Sequence, residues 1–183
     1  MQPDTTPRFI TVFGGSQAAP DGALYRQARE LGRRLAEAGF GVISGGYGGT
    51  MEAVSRGARE AGGLTVGITL ATFDRMALRP NSYLTAEQKA PNYLDRLAEL
   101  TRRASGFIAL KGGIGTLSEV SITLSLLQIG ELPFKPVVLL GECWSAYLDT
   151  VRQWFMLRPD DLAPVYVAAD AAQAVAWLRR VLA

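Results

Sequence analysis

Short apolar runs and stretches of helical period alternate along this chain. Phe9-Ile-Thr-Val-Phe13 reads as a buried strand and leads into Gly14-Gly15-Ser16. Over residues 21–38 the apolar positions Leu24, Ala28, Leu31, Leu35 and Ala38 fall on one helix face, and Gly39 ends the helix. Residues 41–44 are expected to form a second strand. A second helix is expected over 50–61, stopped by Gly62-Gly63, and a third strand over 64–69. Residues 71–92, with Pro80, Asn81, Tyr83, Pro91 and Asn92, follow neither period and read as one long irregular loop, a length usually reserved for a lid or a partner surface. Beyond it the pattern predicts a helix over 93–103, a strand over 106–110 and a long apolar helix over 116–129. A strand over 136–140, a helix over 144–157, a short strand over 165–167 and a closing helix over 170–182 follow, the last with Asp170 as its N-cap.

Strands alternating with helices predict an α/β fold: a single-domain, doubly wound, Rossmann-like parallel sheet with helices on both faces. The domain is expected to span 1–183, with residues 1–7 as a flexible N-terminus. Ligands of such sheets sit outside the carboxyl ends of the strands. Gly14–Ser16, Gly45–Thr50 and Gly112–Thr116 all fall at such ends.

Composition narrows the chemistry. Of 183 residues, 48% are hydrophobic and 20% charged, an ordinary globular balance. The net charge of +2 and the lack of a basic stretch interleaved with aromatics argue against nucleic acid as a partner. Cys143 is the one cysteine, so no internal disulfide can form and a reducing compartment fits. The first residues lack a charged-then-apolar signal pattern, and no apolar run approaches ~20 residues. No membrane partner and a cytoplasmic address are therefore expected. Histidine is absent, which removes imidazole bases, Ser-His or Cys-His nucleophile pairs and His-containing zinc sites. No metal site is expected, and acid–base work falls to Asp, Glu, Tyr, Lys or Arg.

The most informative segment is Gly112-Gly-Ile-Gly-Thr-Leu-Ser-Glu119, directly after Phe107-Ile-Ala-Leu110. A strand runs into a glycine turn that opens a helix, with a carboxylate expected in its first turn. Bare N–H groups and the positive helix terminus make such a turn a seat for phosphate. Gly45-Gly-Tyr-Gly-Gly-Thr-Met-Glu52 repeats the device. Two copies point either to two loops over one ligand or to one solution for tight turns used twice. Neither turn is a P-loop or a Gly-x-Gly-x-x-Gly fingerprint, and no acidic residue stands where a ribose-binding carboxylate should follow the first strand, which argues against NAD.

Each candidate has a structural alternative. Thr116-x-x-Glu119 is also a capping box. Glu52 is also a first-turn carboxylate favoured by the helix dipole. Arg96, Arg102 and Arg103 can form a solvated basic face, on which Arg96 and Arg103, seven apart, share a side. Lys111 abuts the glycine turn and can add charge near a phosphate or point into water.

At Lys111-Gly-Gly-Ile-Gly-Thr-Leu-Ser-Glu119 the chain resembles the LOG (LONELY GUY) family, long labelled "lysine decarboxylase-like". Its members carry Pro-Gly-Gly-x-Gly-Thr-x-x-Glu after a strand ending Phe-Ile-Ala-Leu, and an arginine on the preceding helix, here matched by Arg96. The resemblance covers nearly the whole chain, with three departures. Lys111 replaces the proline, Leu97 stands where plant-like members have lysine, and Gly49-Thr-Met-Glu52 replaces Gly-Leu-Met-Gly. The resemblance implies a homodimer with sites near its interface. It also implies hydrolysis of the N-glycosidic bond of nucleoside 5′-monophosphates, notably cytokinin ribotides, to free base and ribose 5-phosphate. No cofactor is expected, since the residues offer no clear site for the pyridoxal phosphate that the decarboxylase label suggests. On this reading Glu119 and Arg96 are catalytic. Gly112, Gly113, Gly115, Thr116, Gly15, Ser16, Gly45, Gly46, Gly48, Gly49 and Thr50 bind phosphate or nucleotide, with Glu52, Lys111 and Arg103 as further candidates. Some LOG-like proteins carry the molybdenum cofactor, so a non-catalytic carrier or nucleotide sensor is the alternative.

Overall fold

The computed structural model describes residues 7–183. The N-terminal segment expected to be flexible lies outside the described residues, apart from Pro7. The strands are β1 (Phe9–Phe13), β2 (Gly41–Ser44), β3 (Thr65–Leu70), β4 (Ala86–Ala90), β5 (Gly106–Ala109), β6 (Val137–Leu140) and β7 (Val165–Ala168). The helices are α1 (Ala23–Glu37), α2 (Thr50–Glu60), α3 (Ala71–Asp74), α4 (Tyr93–Arg102), α5 (Ile114–Gln128), α6 (Glu142–Trp154) and α7 (Ala171–Val181). Among the described residues all strands pair in parallel, in the order β4-β3-β2-β1-β5-β6-β7.

Parallel strands need crossovers, and the helices that supply them cover both faces of the sheet. On one face Leu31, Leu35, Val54 and Leu178 of α1, α2 and α7 pack on Ile10, Val42, Ile108 and Val138. On the other, Leu100, Val120, Trp144 and Leu148 of α4, α5 and α6 pack on Phe13, Ile43, Phe107 and Leu139. Central strands are therefore covered on both sides, which is why they read as short, mostly apolar runs. The order reverses at β1, which lies between β2 and β5, so the crevice of the sheet opens there.

Two expectations are corrected. Residues 71–92 are not one irregular loop: they hold the short helix α3 and the edge strand β4, which pairs Val66–Leu70 with Ala86–Ala90. Ala-Glu-Gln-Lys-Ala carries no apolar period because, of its side chains, only that of Ala90 is buried; the strand is held by its backbone ladder. The long apolar helix starts at Ile114, not Thr116, with Gly113 as its N-cap. Thr116 is thus the third helical residue and Glu119 the sixth, past the first turn. The capping box does not form, because the Glu119 carboxyl lies too far along the helix to reach the N-cap amide. The expected Asp170 cap does form, its side chain accepting from Gln173 N.

Candidate active site

The three glycine turns meet above the crevice. Gly15 N donates to Lys111 O at 3.4 Å, and Gly15 O accepts from Thr50 N and Thr50 Oγ1 at 3.0 and 3.1 Å. One glycine thus joins the turns after β1 and β5 to the start of α2. The joint leaves no room for side chains. A Cβ on Gly112 would fall 2.9 Å from Gly15 N and 2.1 Å from Thr116 Oγ1, and one on Gly49, whose φ is +69°, would fall 2.5 Å from Gly15 O.

Other glycines are open. A Cβ on Gly113, Gly115 or Gly48 would meet no described atom within 4 Å. Residues 112–115 are exposed, and the first intrahelical bond of α5 runs from Leu117 N to Gly113 O. The N–H groups of Ile114, Gly115 and Thr116 therefore lack intrahelical acceptors and form the positive end of a 15-residue helix. This end is suited to an anion.

One turn along α5 from Thr116 stands Glu119, on the same helix side. It is 8% exposed, and Arg96, from α4, is 6% exposed. Arg96 does not lie on a solvated face. Its Nε donates to Ile68 O at 2.8 Å and its Nη2 to Gly45 O at 3.3 Å, so the carboxyl ends of β2 and β3 hold the guanidinium. Its Nη1 is 3.8 Å from Glu119 Oε1, an ion pair without a hydrogen bond. Burial pushes the Glu119 carboxyl up to about 7, with Arg96 pulling the other way. A Cβ on Gly45 would run into Arg96 Nη2, so a side chain there would have to displace the guanidinium.

The other sequence-derived candidates are distributed as follows. Gly45 and Gly46 are buried and face protein, Gly45 against Arg96 and Gly46 under Asn81. Ser16 is exposed beside the joint. Glu52 accepts from Tyr25 Oη at 2.8 Å, tying α2 to α1. Lys111 lines the rim of a hollow of about 170 Å³ with Leu117, Cys143, Trp144 and Tyr147. Arg103 lies at the far end of α4, exposed, donating to Gln88 Oε1. Leu97 is buried. Sequence reasoning missed Asn81 and Tyr47, which brace the turn after β2; the Pro80-Asn81 pair in an otherwise unpatterned stretch was the one available signal. Among the described residues no three His, Cys, Asp or Glu side chains gather as metal ligands, and no helix is long and apolar enough to cross a membrane.

A doubly wound parallel sheet with glycine turns joined over its switch point defines a Rossmann-like α/β protein with an anion-receptive crevice. The chain belongs to the SLOG cluster4 family, whose sequence profile matches residues 7–153, and is thus a LOG-type protein. It is 29% identical over 181 residues to the cytokinin riboside 5′-monophosphate phosphoribohydrolase of Rhodococcoides fascians, covering 95% of this chain and 90% of that one. It is 32% identical over 186 residues to the probable cytokinin riboside 5′-monophosphate phosphoribohydrolase LOGL5 of Oryza sativa subsp. japonica, covering 92% of this chain and 70% of that one. Among solved structures, the molybdenum cofactor carrier protein of Chlamydomonas reinhardtii superposes with a TM-score of 0.73 at 26% identity, over 96% of this chain and 98% of that one. The molybdenum cofactor binding protein of Rippkaea orientalis, at 24% identity and a TM-score of 0.77 over 97% and 98%, shares the fold.

Proposed function

We propose that this protein hydrolyses the N-glycosidic bond of a nucleoside 5′-monophosphate, releasing the free base and ribose 5-phosphate. The observation that carries the reading is a buried carboxyl, poised near neutrality, one helical turn from an open helix N-terminus. The 5′-phosphate sits on the amides of Ile114, Gly115 and Thr116, with the Thr116 hydroxyl adding a bond. Cleavage moves the electron pair of the glycosidic bond onto the base nitrogen, which takes a proton from solvent, and leaves positive charge at the anomeric carbon. Glu119 as carboxylate offsets that charge and takes the proton of the attacking water. A base with a pKa near 7 suits this better than an ordinary glutamate, because it both holds and releases a proton at working pH. Arg96, fixed by two carbonyls, orients Glu119 rather than reaching freely for phosphate. Small phosphorylated substrates and the lone cysteine fit a cytoplasmic address.

The assembly belongs to the same reading. Ile114, Leu117, Ile129, Phe134, Trp154, Phe155 and Met156 are exposed on α5, its exit and the end of α6. We infer from these exposed apolar side chains that a second copy of the chain covers this side. A groove of about 220 Å³ between α5 and α6, lined by Leu124, Tyr147, Val151 and Leu157, runs along the same face.

A second reading is supported by the carrier protein's likeness over almost the full chain. A carrier keeps the phosphate seat and returns its ligand intact. Incubation with AMP, GMP, CMP and isopentenyladenosine monophosphate, followed by chromatography, separates the two. Base released by the wild type and not by Glu119→Gln is expected. Ligand recovered whole, with the fold protected against heat, overturns hydrolysis in favour of the carrier.

A further inference from the structure

The turn after β2 carries three successive backbone carbonyls, and each is taken by a side chain from a distant segment. Gly45 O accepts from Arg96 Nη2 at 3.3 Å. Gly46 O and Tyr47 O each accept from Asn81 Nδ2 at 3.1 Å, and Gly46 O also accepts from Asn81 N at 2.9 Å. Asn81 Oδ1 accepts in turn from Tyr83 N at 3.1 Å, so the amide is fixed at both ends. Asn81 belongs to the segment between α3 and β4, outside every glycine motif. Tyr47 is braced separately: its hydroxyl accepts from Leu70 N at 2.8 Å, and its ring meets Phe73 edge-on at 5.3 Å.

This arrangement links Asn81 to the site in two steps. Gly46 sits at φ +81°, with Gly67 Cα only 3.1 Å from where its Cβ would be, so Gly46 is pinched between β3 and Asn81, which holds its carbonyl. The carbonyl on the Gly45 side of that pinch is one of the two backbone anchors of Arg96; the other is Ile68 O. With one anchor displaced, the guanidinium can turn about Nε and carry Nη1 away from Glu119. Of the charged groups on the surrounding elements, Arg96 of α4 is the one whose field bears on Glu119.

We propose that Asn81 is a positioning residue of the active site, clamping the Gly45–Tyr47 turn so that Arg96 is held against Glu119. The clamp concerns the pair on which the hydrolase reading rests, yet its effect is readable without turnover. Protein labelled with ¹³C at glutamate Cδ is titrated by NMR, and the Glu119 signal is assigned by its loss in Glu119→Gln. Asn81→Ala is expected to raise the Glu119 midpoint, because burial then acts with less opposition from Arg96. Asn81→Asp keeps size and the acceptor for Tyr83 N while removing the Nδ2 donor. It is expected to shift the midpoint the same way, and it serves if the alanine variant fails to fold. Thr85→Val is the control. Thr85 Oγ1 donates to Thr65 O at 2.6 Å, so this change loosens the same segment without touching the turn, and no shift is expected.

An unchanged Glu119 midpoint in both Asn81 variants overturns the proposal. So does an equal shift in Thr85→Val, which would reduce Asn81 to general bracing. If the protein releases base from AMP, the pH profile of kcat/KM moves with the NMR midpoint in Asn81→Ala. If it releases none, the NMR result still decides the clamp, and only the hydrolase reading is lost.

Discussion

Arg96 Nη1 stands 3.8 Å from Glu119 Oε1 with both side chains buried, and the arginine is anchored to backbone rather than to the carboxylate. The pair is therefore asymmetric: Arg96 is satisfied without Glu119, but Glu119 has Arg96 as its counter-charge. Arg96→Ala strips the carboxyl of that charge and leaves Ile68 O and Gly45 O without their donor. Unfolding in urea at pH 8 is expected to show a loss of about 3 kcal/mol, the scale for breaking a buried pair. At pH 5.5 the loss should be smaller, because Glu119 is then neutral. Equal losses at the two pH values would assign the effect to the carbonyls and packing alone. Arg96→Lys should not restore stability, since an ammonium cannot reproduce the fork that reaches both carbonyls.

Glu119 also gives stability a pH dependence with a definite sign. Its carboxyl is raised from 4.5 to about 7 in the folded chain. Between those values the folded chain keeps a proton that the unfolded chain has released. Its contribution is thus fully present below about 4.5 and is lost as pH rises through 7. The shift corresponds to about 3 kcal/mol. The difference in unfolding free energy between wild type and Glu119→Gln isolates it, because Glu30 and Glu60, whose carboxyls are lowered by surface arginines, contribute equally to both proteins. From pH 4.5 to 8 the glutamine variant should become progressively the more stable of the two; a constant difference would mean that Glu119 is not buried as described.

Much of this frame was legible because the central strands are covered on both faces. Phe9–Phe13, Gly41–Ser44 and Val137–Leu140 advertise themselves as apolar runs, and Asp170 as a cap. β4 did not, since an edge strand largely in solvent is held by its partner's backbone and by polar contacts, such as Thr69 Oγ1 to Glu87 Oε1 at 2.6 Å, that leave no apolar period. The glycine turns located the crevice, but the sequence could not assign each glycine its task. Gly45 lies against Arg96 and Gly112 against Thr116 and Gly15, whereas Gly113 and Gly115 border open space. Helical spacing put Arg96 and Arg103 on one side of a helix, but α4 ends at Arg102 and only Arg96 is buried. Spacing could not reveal that the ends of β2 and β3 close over the first and leave the second in water, because that depends on chain more than 25 residues away. The partners of Asn81, Gly46 O and Tyr47 O, were hidden for the same reason.

The exposed apolar cluster at the end of α6 predicts an assembly. Trp154, Phe155 and Met156 are adjacent and exposed, and would be costly to leave in water. Light scattering at micromolar concentration should give the mass of a dimer. Phe155→Glu, which places a charge within that cluster, should give a monomer with unchanged circular dichroism. A wild-type monomer would remove the interface.

The glycines of the turn after β5 allow a sharper test of the phosphate seat, because packing and binding make opposite demands on them. A Cβ at Gly112 meets Thr116 Oγ1 at 2.1 Å and Gly15 N at 2.9 Å. Gly112→Ala must therefore push the joined turns apart, and its melting temperature should fall. A Cβ at Gly115 meets no described atom, and the residue lies within the first turn of α5, where alanine is favoured over glycine by about 1 kcal/mol. Gly115→Ala should therefore melt at or above wild type. Its methyl group, however, projects at the open helix terminus where the phosphate is expected to rest. AMP at a concentration that raises the melting temperature of the wild type should raise that of Gly115→Ala markedly less. A variant that is both more stable and equally protected by AMP would place the phosphate elsewhere in the crevice, with the turn after β1, at Gly15 and Ser16, as the next position to probe.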